Sequence, residues 1–142
     1  MQQHPAPEVR ALCFDVFGTV VDWYGSVSAE VQALGLGLDG GEFALAWRAG
    51  YAPAMQEVRS GALPWTDLDG LHRRILDRLL AERGVTLDAA RAAELNRVWH
   101  RLRPWPDSVA GLTRLKRRFT ITTLSNCWND VVWISPCLTM IR

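Results

Sequence analysis

The stretch Val9-Arg10-Ala11-Leu12-Cys13-Phe14-Asp15-Val16-Phe17-Gly18-Thr19-Val20-Val21-Asp22 decides how this chain is read. Val9 to Val16 is a short, almost continuous apolar run, which suits a strand buried on both faces, as in a parallel sheet. It ends in Phe17-Gly18-Thr19, where glycine permits a sharp turn. A second, β-branched run of similar length, Phe119 to Leu124 (FTITTL), closes on Ser125-Asn126. In an open parallel sheet the ligand site lies beyond the carboxyl ends of the strands. Asp15 with Thr19 on the first strand, and Ser125 with Asn126 on the second, are therefore expected at that edge.

Everything between the two runs reads as helical. Ser26 to Leu34 carries Val27, Val31 and Leu34 at helical spacing, and Glu42 to Arg59 carries Phe43, Trp47, Tyr51 and Met55 four residues apart. Asp67 to Arg83 is the clearest helix. Its face is Leu68, Leu71, Ile75, Leu76, Leu79 and Leu80, and Gly84 stands where a C-terminal glycine stop belongs. Asp88 to Leu102 reads as another, with Leu95, Val98 and Leu102 as its stripe. Arg103-Pro104-Trp105-Pro106-Asp107 breaks the pattern, and Pro106 can open a helix with Val109, Leu112 and Leu115 on its apolar face.

The order strand, helices, proline-marked return, helix, strand predicts an α/β fold. The helices between residues 23 and 103 are too many for one crossover and are expected to form a subdomain inserted after the first strand. The expected divisions are 1–22 for the first core strand and its loop, 23–103 for the helical insertion, 104–126 for the return helix and second strand, and 127–142 for an atypical tail.

Composition narrows the function. The chain has 142 residues, 49% of them apolar and 22% charged, close to ordinary globular proteins. A formal charge of +1 gives no reason to expect nucleic acid or an anionic membrane as partner. No apolar run reaches the length of a membrane span, and the first eight residues lack the pattern of a signal peptide. Cys13, Cys127 and Cys137 form no CxxC pair, so a disulfide framework or zinc site has little support and a reducing cytoplasm is the default.

An Asp projecting from a strand end can act as a carboxylate nucleophile, and hydroxyl and amide groups on the neighbouring strand can hold an anion by directed hydrogen bonds. For an isolated Asp-x-x-Gly, an ordinary strand-end turn is the plainer reading. His72 and His100 stand on helical segments without metal-ligand partners and read as packing or surface residues. Lys116-Arg117-Arg118 suits a helix C-terminus.

Asp15 to Asp22 (DVFGTVVD) resembles the first signature of the haloacid dehalogenase superfamily, in the form carried by type II 2-haloacid dehalogenases. Thr123-Leu124-Ser125-Asn126 resembles the second signature. Phe43 to Arg59, with its Trp47-Arg48 pair, resembles the inserted cap, and Trp105-Pro106-Asp107 with Gly111-Leu112 resembles the return from cap to core. The likeness runs from about residue 9 to 126. It implies a partial Rossmann-like parallel-sheet core with an inserted helical cap. It also implies Asp15 as nucleophile and Thr19, Ser125 and Asn126 as holders of a substrate carboxylate. Arg48 would bind that carboxylate or the departing halide. Phe17, Trp47 and Tyr51 would contribute to the substrate pocket, the last two being read from their pattern as packing residues. Phosphatases of the superfamily carry a proton-donating Asp two residues after the nucleophile. Here Phe17 cannot transfer a proton, and halide needs none on leaving. The resemblance therefore implies hydrolysis of small halogenated carboxylic acids, with no metal and no cofactor, and allows a homodimer. Another hydrolase of the superfamily, such as a phosphatase, or an inactive product are the alternatives.

The sequence departs from the family after Asn126. The family has a later lysine and an acidic motif, whereas residues 127–142 hold no lysine and a single acidic residue, Asp130, close behind the second strand. Cys127 also stands where the family usually has glycine. The expectation is a tail out of frame or a truncated gene, with a genuine divergent C-terminus as the alternative.

Overall fold

A computed structural model of the chain describes residues 9–124. They divide into two units: a core unit, to which residues up to Asp22 and from Pro104 onward belong, and a helical unit, Trp23–Arg103.

In the core unit, β1 (Ala11–Phe14) and β4 (Thr120–Thr123) pair in parallel, with Ala11 opposite Thr120 and Phe14 opposite Thr123. The ladder continues at both ends, Thr120 N–H donating to Arg10 O (2.9 Å) and Leu124 N–H to Phe14 O (2.8 Å). Two short strands mark where the chain leaves and returns, β2 (Val21–Asp22) and β3 (Arg103–Pro104). Helix α6 (Ser108–Lys116) leads into β4 and packs on it, burying Leu112. The helix begins two residues after Pro106; Pro106 and Asp107 form the turn before it, closed by Ser108 N–H donating to Trp105 O (3.1 Å).

The strands are less buried than their composition suggested. Ala11 and Cys13 are exposed, and Leu12 and Phe14 half-buried. A parallel strand is enclosed only when helices cover both faces of its sheet. Among the described residues of this unit, α6 is the one helix present. The apolar run is real; the layers that would bury it are not among these residues.

The helical unit contains α1 (Trp23–Ala33), α2 (Gly40–Ala49), α3 (Tyr51–Arg59), α4 (Leu68–Glu82) and α5 (Ala89–Asn96), with a 3₁₀ turn at Arg97–His100. Three helices start on the same device. The Asp39, Asp67 and Asp88 carboxylates accept from the backbone N–H groups of Glu42 (2.8 Å), Gly70 (2.7 Å) and Arg91 (2.8 Å), each satisfying an orphan donor of the first turn. The core is made by Val27 and Val31 of α1, Phe43 and Trp47 of α2, and the face of α4 formed by Leu71, Ile75, Leu76, Leu79 and Leu80.

Two helices are shorter than their apolar stripes imply. The stretch from Glu42 to Arg59 is divided at Gly50 into α2 and α3. Pro53 has no N–H to give to the Ala49 carbonyl, so the ladder must break there. Gly50 fills the joint because a β-carbon would stand 2.5 Å from Ile75 Cγ2. The stretch from Asp88 to Leu102 stays α-helical only to Asn96, whose Nδ2 donates to Asp69 O (3.0 Å). The tighter 3₁₀ turn that follows turns both Val98 and Trp99 inward.

Candidate active site

Asp15 follows the last residue of β1 directly, and its carboxylate is exposed. The loop behind it is held by its own backbone. The Val16 carbonyl accepts from both Val20 N–H (2.9 Å) and Val21 N–H (3.1 Å), while Gly18 N–H donates to Val21 O (2.9 Å). Val16, Val20 and Val21 are almost wholly buried, which pins the loop's base. Gly18 has φ +96°, a conformation that disfavours any side chain. This tight return brings Thr19 back toward the strand end, where its hydroxyl donates to Asp15 Oδ2 (3.0 Å). One carboxylate oxygen is thereby oriented.

Two residues from the return segment brace this loop from outside. Trp105 Nε1 donates to Gly18 O (3.0 Å), and Trp105 N–H to Val20 O (3.1 Å). The Ser108 hydroxyl donates to the same Val20 carbonyl (2.8 Å). Sequence reasoning does not assign these roles. The available signal is Trp-Pro-Asp-Ser just before an amphipathic helix, which announces a helix start and not a loop 88 residues away. Phe17 is half-buried and bridges to Val21. Ser125 and Asn126 lie outside the described residues.

Within the helical unit, Trp47 and Arg48 are consecutive residues near the end of α2 and take opposite environments. Trp47 is fully enclosed, its Nε1 donating to His72 O (3.0 Å) and its ring edge-on to Phe43 and Trp99. Arg48 is exposed, with its guanidinium carbon 5.3 Å from the centroid of the half-buried Tyr51 ring. Tyr51 stacks on His72 (5.9 Å between centroids, 17° between planes). His72 is 8% exposed, and burial pushes its pKa from 6.5 to about 4. Asp69 opposes that shift, while Arg48 and His100 reinforce it. His72 is thus a neutral imidazole at physiological pH. His100 sits nearby as a partner of Asp69, Nε2 to Oδ1 at 2.7 Å. Among the described residues, no group of three or more His, Cys, Asp and Glu side chains could hold a metal ion, and no helix is long and apolar enough to cross a membrane.

A parallel strand pair, a helical unit that falls between its strands in chain order and a carboxylate at the end of the first strand are what the resemblance to the haloacid dehalogenase superfamily implies. Solved structures place the chain more closely. A defluorinating L-2-haloacid dehalogenase is similar with a TM-score of 0.81 and 43% identity, over 89% of this chain and 54% of that one. A second L-2-haloacid dehalogenase matches with a TM-score of 0.83 and 41% identity, over 95% of this chain and 60% of that one. The L-2-haloacid dehalogenase from Xanthobacter autotrophicus, solved with chloropropionic acid covalently bound, shares the fold with a TM-score of 0.74 and 23% identity, over 89% of this chain and 50% of that one. No protein-family model matches the chain, and no curated protein matches it. In fold and in sequence the chain is haloacid-dehalogenase-like, of the type II form. It spans between half and three-fifths of the length of these solved relatives.

Proposed function

We propose that this chain carries the nucleophile and the cap arginine of a hydrolase that removes halide from small 2-haloacids. The observation that supports this most directly is the exposed Asp15 carboxylate at the end of β1, oriented through Oδ2 by the Thr19 hydroxyl. The names of the similar structures point to L-2-haloacids as the substrate class.

In this reading an Asp15 oxygen attacks the carbon bearing the halogen. The carbon–halogen bond breaks and halide leaves with its electron pair, so no proton donor is required. That fits Phe17 in place of an acidic residue two positions after the nucleophile. Water then adds to the Asp15 carboxyl carbon of the resulting ester. Cleavage there releases a 2-hydroxy acid and one proton and regenerates the carboxylate. Arg48 supplies a permanent, multidentate positive charge for the substrate carboxylate or the departing halide. Ser125 and Asn126 hydrogen-bond the substrate carboxylate, and Thr19 joins them only by turning its single O–H proton away from Asp15 Oδ2. Phe17 and Tyr51 offer apolar surface to the pocket, and Trp47 fixes the end of α2 from which Arg48 projects. The chain is proposed to work in the cytoplasm, either alone or as a homodimer.

The test is halide release from L-2-chloropropionate, combined with mass spectrometry of the intact chain. The expected result is a covalent adduct on the Asp15 peptide that is absent in Asp15→Asn. A stoichiometric burst of chloride without turnover would mean that attack occurs and ester hydrolysis does not. No adduct and no chloride, together with magnesium-dependent release of phosphate from p-nitrophenyl phosphate, would replace this reading by a phosphatase. Neither activity would make the chain an inactive product.

A further inference from the structure

His72 has no part in the chemistry above, yet it is one of the most constrained polar side chains in the helical unit. It is 8% exposed, its Nδ1 has no hydrogen-bond partner, and its ring touches three aromatic residues. Trp99 lies 4.4 Å away on one side, tilted by 34°, and Tyr51 stacks on it at 17°. The Arg48 guanidinium lies over the Tyr51 ring, and the Tyr51 hydroxyl oxygen is buried without a partner. The four side chains form a column that runs from the interior at Trp99, through His72 and Tyr51, to the exposed arginine.

We propose that Tyr51 and His72 are positioning residues for Arg48: the Tyr51 ring, backed by His72, is a platform that holds the guanidinium ready for an anion. This rests on the reading of Arg48 as the anion-binding residue. An arginine on a helix surface has many rotamers, and ordering it on binding weakens the complex. A ring beneath the guanidinium removes much of that freedom before the ligand arrives, and the cation–π attraction does so without occupying the N–H donors. The platform must itself be fixed and uncharged. Tyr51 is fixed by the stack on His72, and His72 by Trp99 and by the backbone carbonyl that holds Trp47. The charged groups acting on His72 are Asp69, Arg48 and His100. A protonated imidazole here would place a second cation behind the ring that carries the first. Two aromatic backings, Trp99 and Trp47, enclose it against water and keep it neutral.

Two measurements on the full chain test this. The first is the NMR shift of the Arg48 Hδ and Nε–H resonances, which a ring directly beneath them moves upfield. The shift is expected in the parent chain and in Tyr51→Phe and His72→Phe, which keep the stack. It should vanish in Tyr51→Leu and shrink in His72→Ala. Arg48 resonances at free-arginine positions in the parent chain, or unmoved by Tyr51→Leu, overturn the platform. The second is the dissociation constant of L-2-chloropropionate, measured in an Asp15→Asn background so that no ester forms. Tyr51→Leu should weaken binding about two- to fivefold, the size of an exposed cation–π contact, with rescue by Tyr51→Phe. Binding lost in Arg48→Ala but unchanged in Tyr51→Leu overturns the positioning role and leaves the reading of Arg48 standing. Binding that does not depend on Arg48 overturns that reading, and with it the positioning role, whatever the shifts show.

Discussion

Acidification should destabilise this chain through one identifiable side chain. His72 titrates near 6.5 when unfolded and at about 4 in the folded chain, because burial disfavours the imidazolium. Between those values the unfolded state binds a proton that the folded state does not, so stability rises with pH across the window. The contribution is fully present above about pH 6.5 and lost as pH falls toward 4. Integrating the two titrations from near pH 7.5 to pH 5 gives a loss of about 2 kcal/mol, and to below pH 4 about 3 kcal/mol. Acid acts on the rest of the chain as well, so the quantity to compare is a difference. Urea unfolding followed by tryptophan fluorescence is measured at both pH values for the parent chain and for His72→Phe, which stacks but cannot ionise. The parent is expected to lose about 2 kcal/mol more than the variant between the two conditions. Equal losses, or an imidazole shift that titrates near 6.5 in the folded chain, would refute the argument.

Other expectations follow from single contacts. Thr19→Val removes the hydroxyl that orients Asp15; adduct formation should slow about tenfold or more, the equivalent of one hydrogen bond to a charged group, while the melting temperature barely moves. Trp105→Phe deletes the bond to Gly18 O from a residue that is 39% exposed. It should lower stability by only about 0.5–1 kcal/mol and slow adduct formation more than it weakens binding. Gly50→Ala gains about 1 kcal/mol of helix propensity but pushes a methyl against Ile75, itself only 2% exposed. A net loss of about 1–2 kcal/mol is expected from the overpacking, and a rise in stability on urea unfolding would show that α4 yields at this joint.

The parts of this architecture that are encoded locally are legible in the amino-acid order alone. The α4 stripe and its Asp67 and Gly84 boundaries need only helical periodicity and end signals, and both strand runs stand at the predicted places. The place of Asp15 at a strand end is legible because the apolar run, the turn glycine and a threonine four residues on occupy one short segment. The split at Gly50 is also written locally, in Pro53, but the four-residue repeat of large apolar residues across it masks the break. What the residue order conceals depends on tertiary contact. Nothing near Trp105 reveals that its indole closes on Gly18. His72 reads as an isolated helix histidine because the rings that enclose it come from α2, α3 and the 3₁₀ turn, 21 to 27 residues away in either direction.

The two halves of the proposed chemistry are therefore held by different physics. Asp15 is aimed by hydrogen bonds with a defined direction: backbone bonds at Val16 and Gly18 fix the loop behind it, and the Thr19 hydroxyl orients its Oδ2. Arg48 is held by a stack, which restrains where the guanidinium lies more than how its donors turn. A nucleophile needs a fixed line of attack, since a small misplacement of the reacting atoms is expensive in rate. In the proposed reading Arg48 meets a substrate carboxylate or a departing halide, either of which arrives or leaves along its own path, so a fixed position with freedom to reorient suits it better. The loop at Asp15 should accordingly tolerate almost no substitution without loss of rate, whereas the column beneath Arg48 should tolerate any exchange that preserves a flat, uncharged ring.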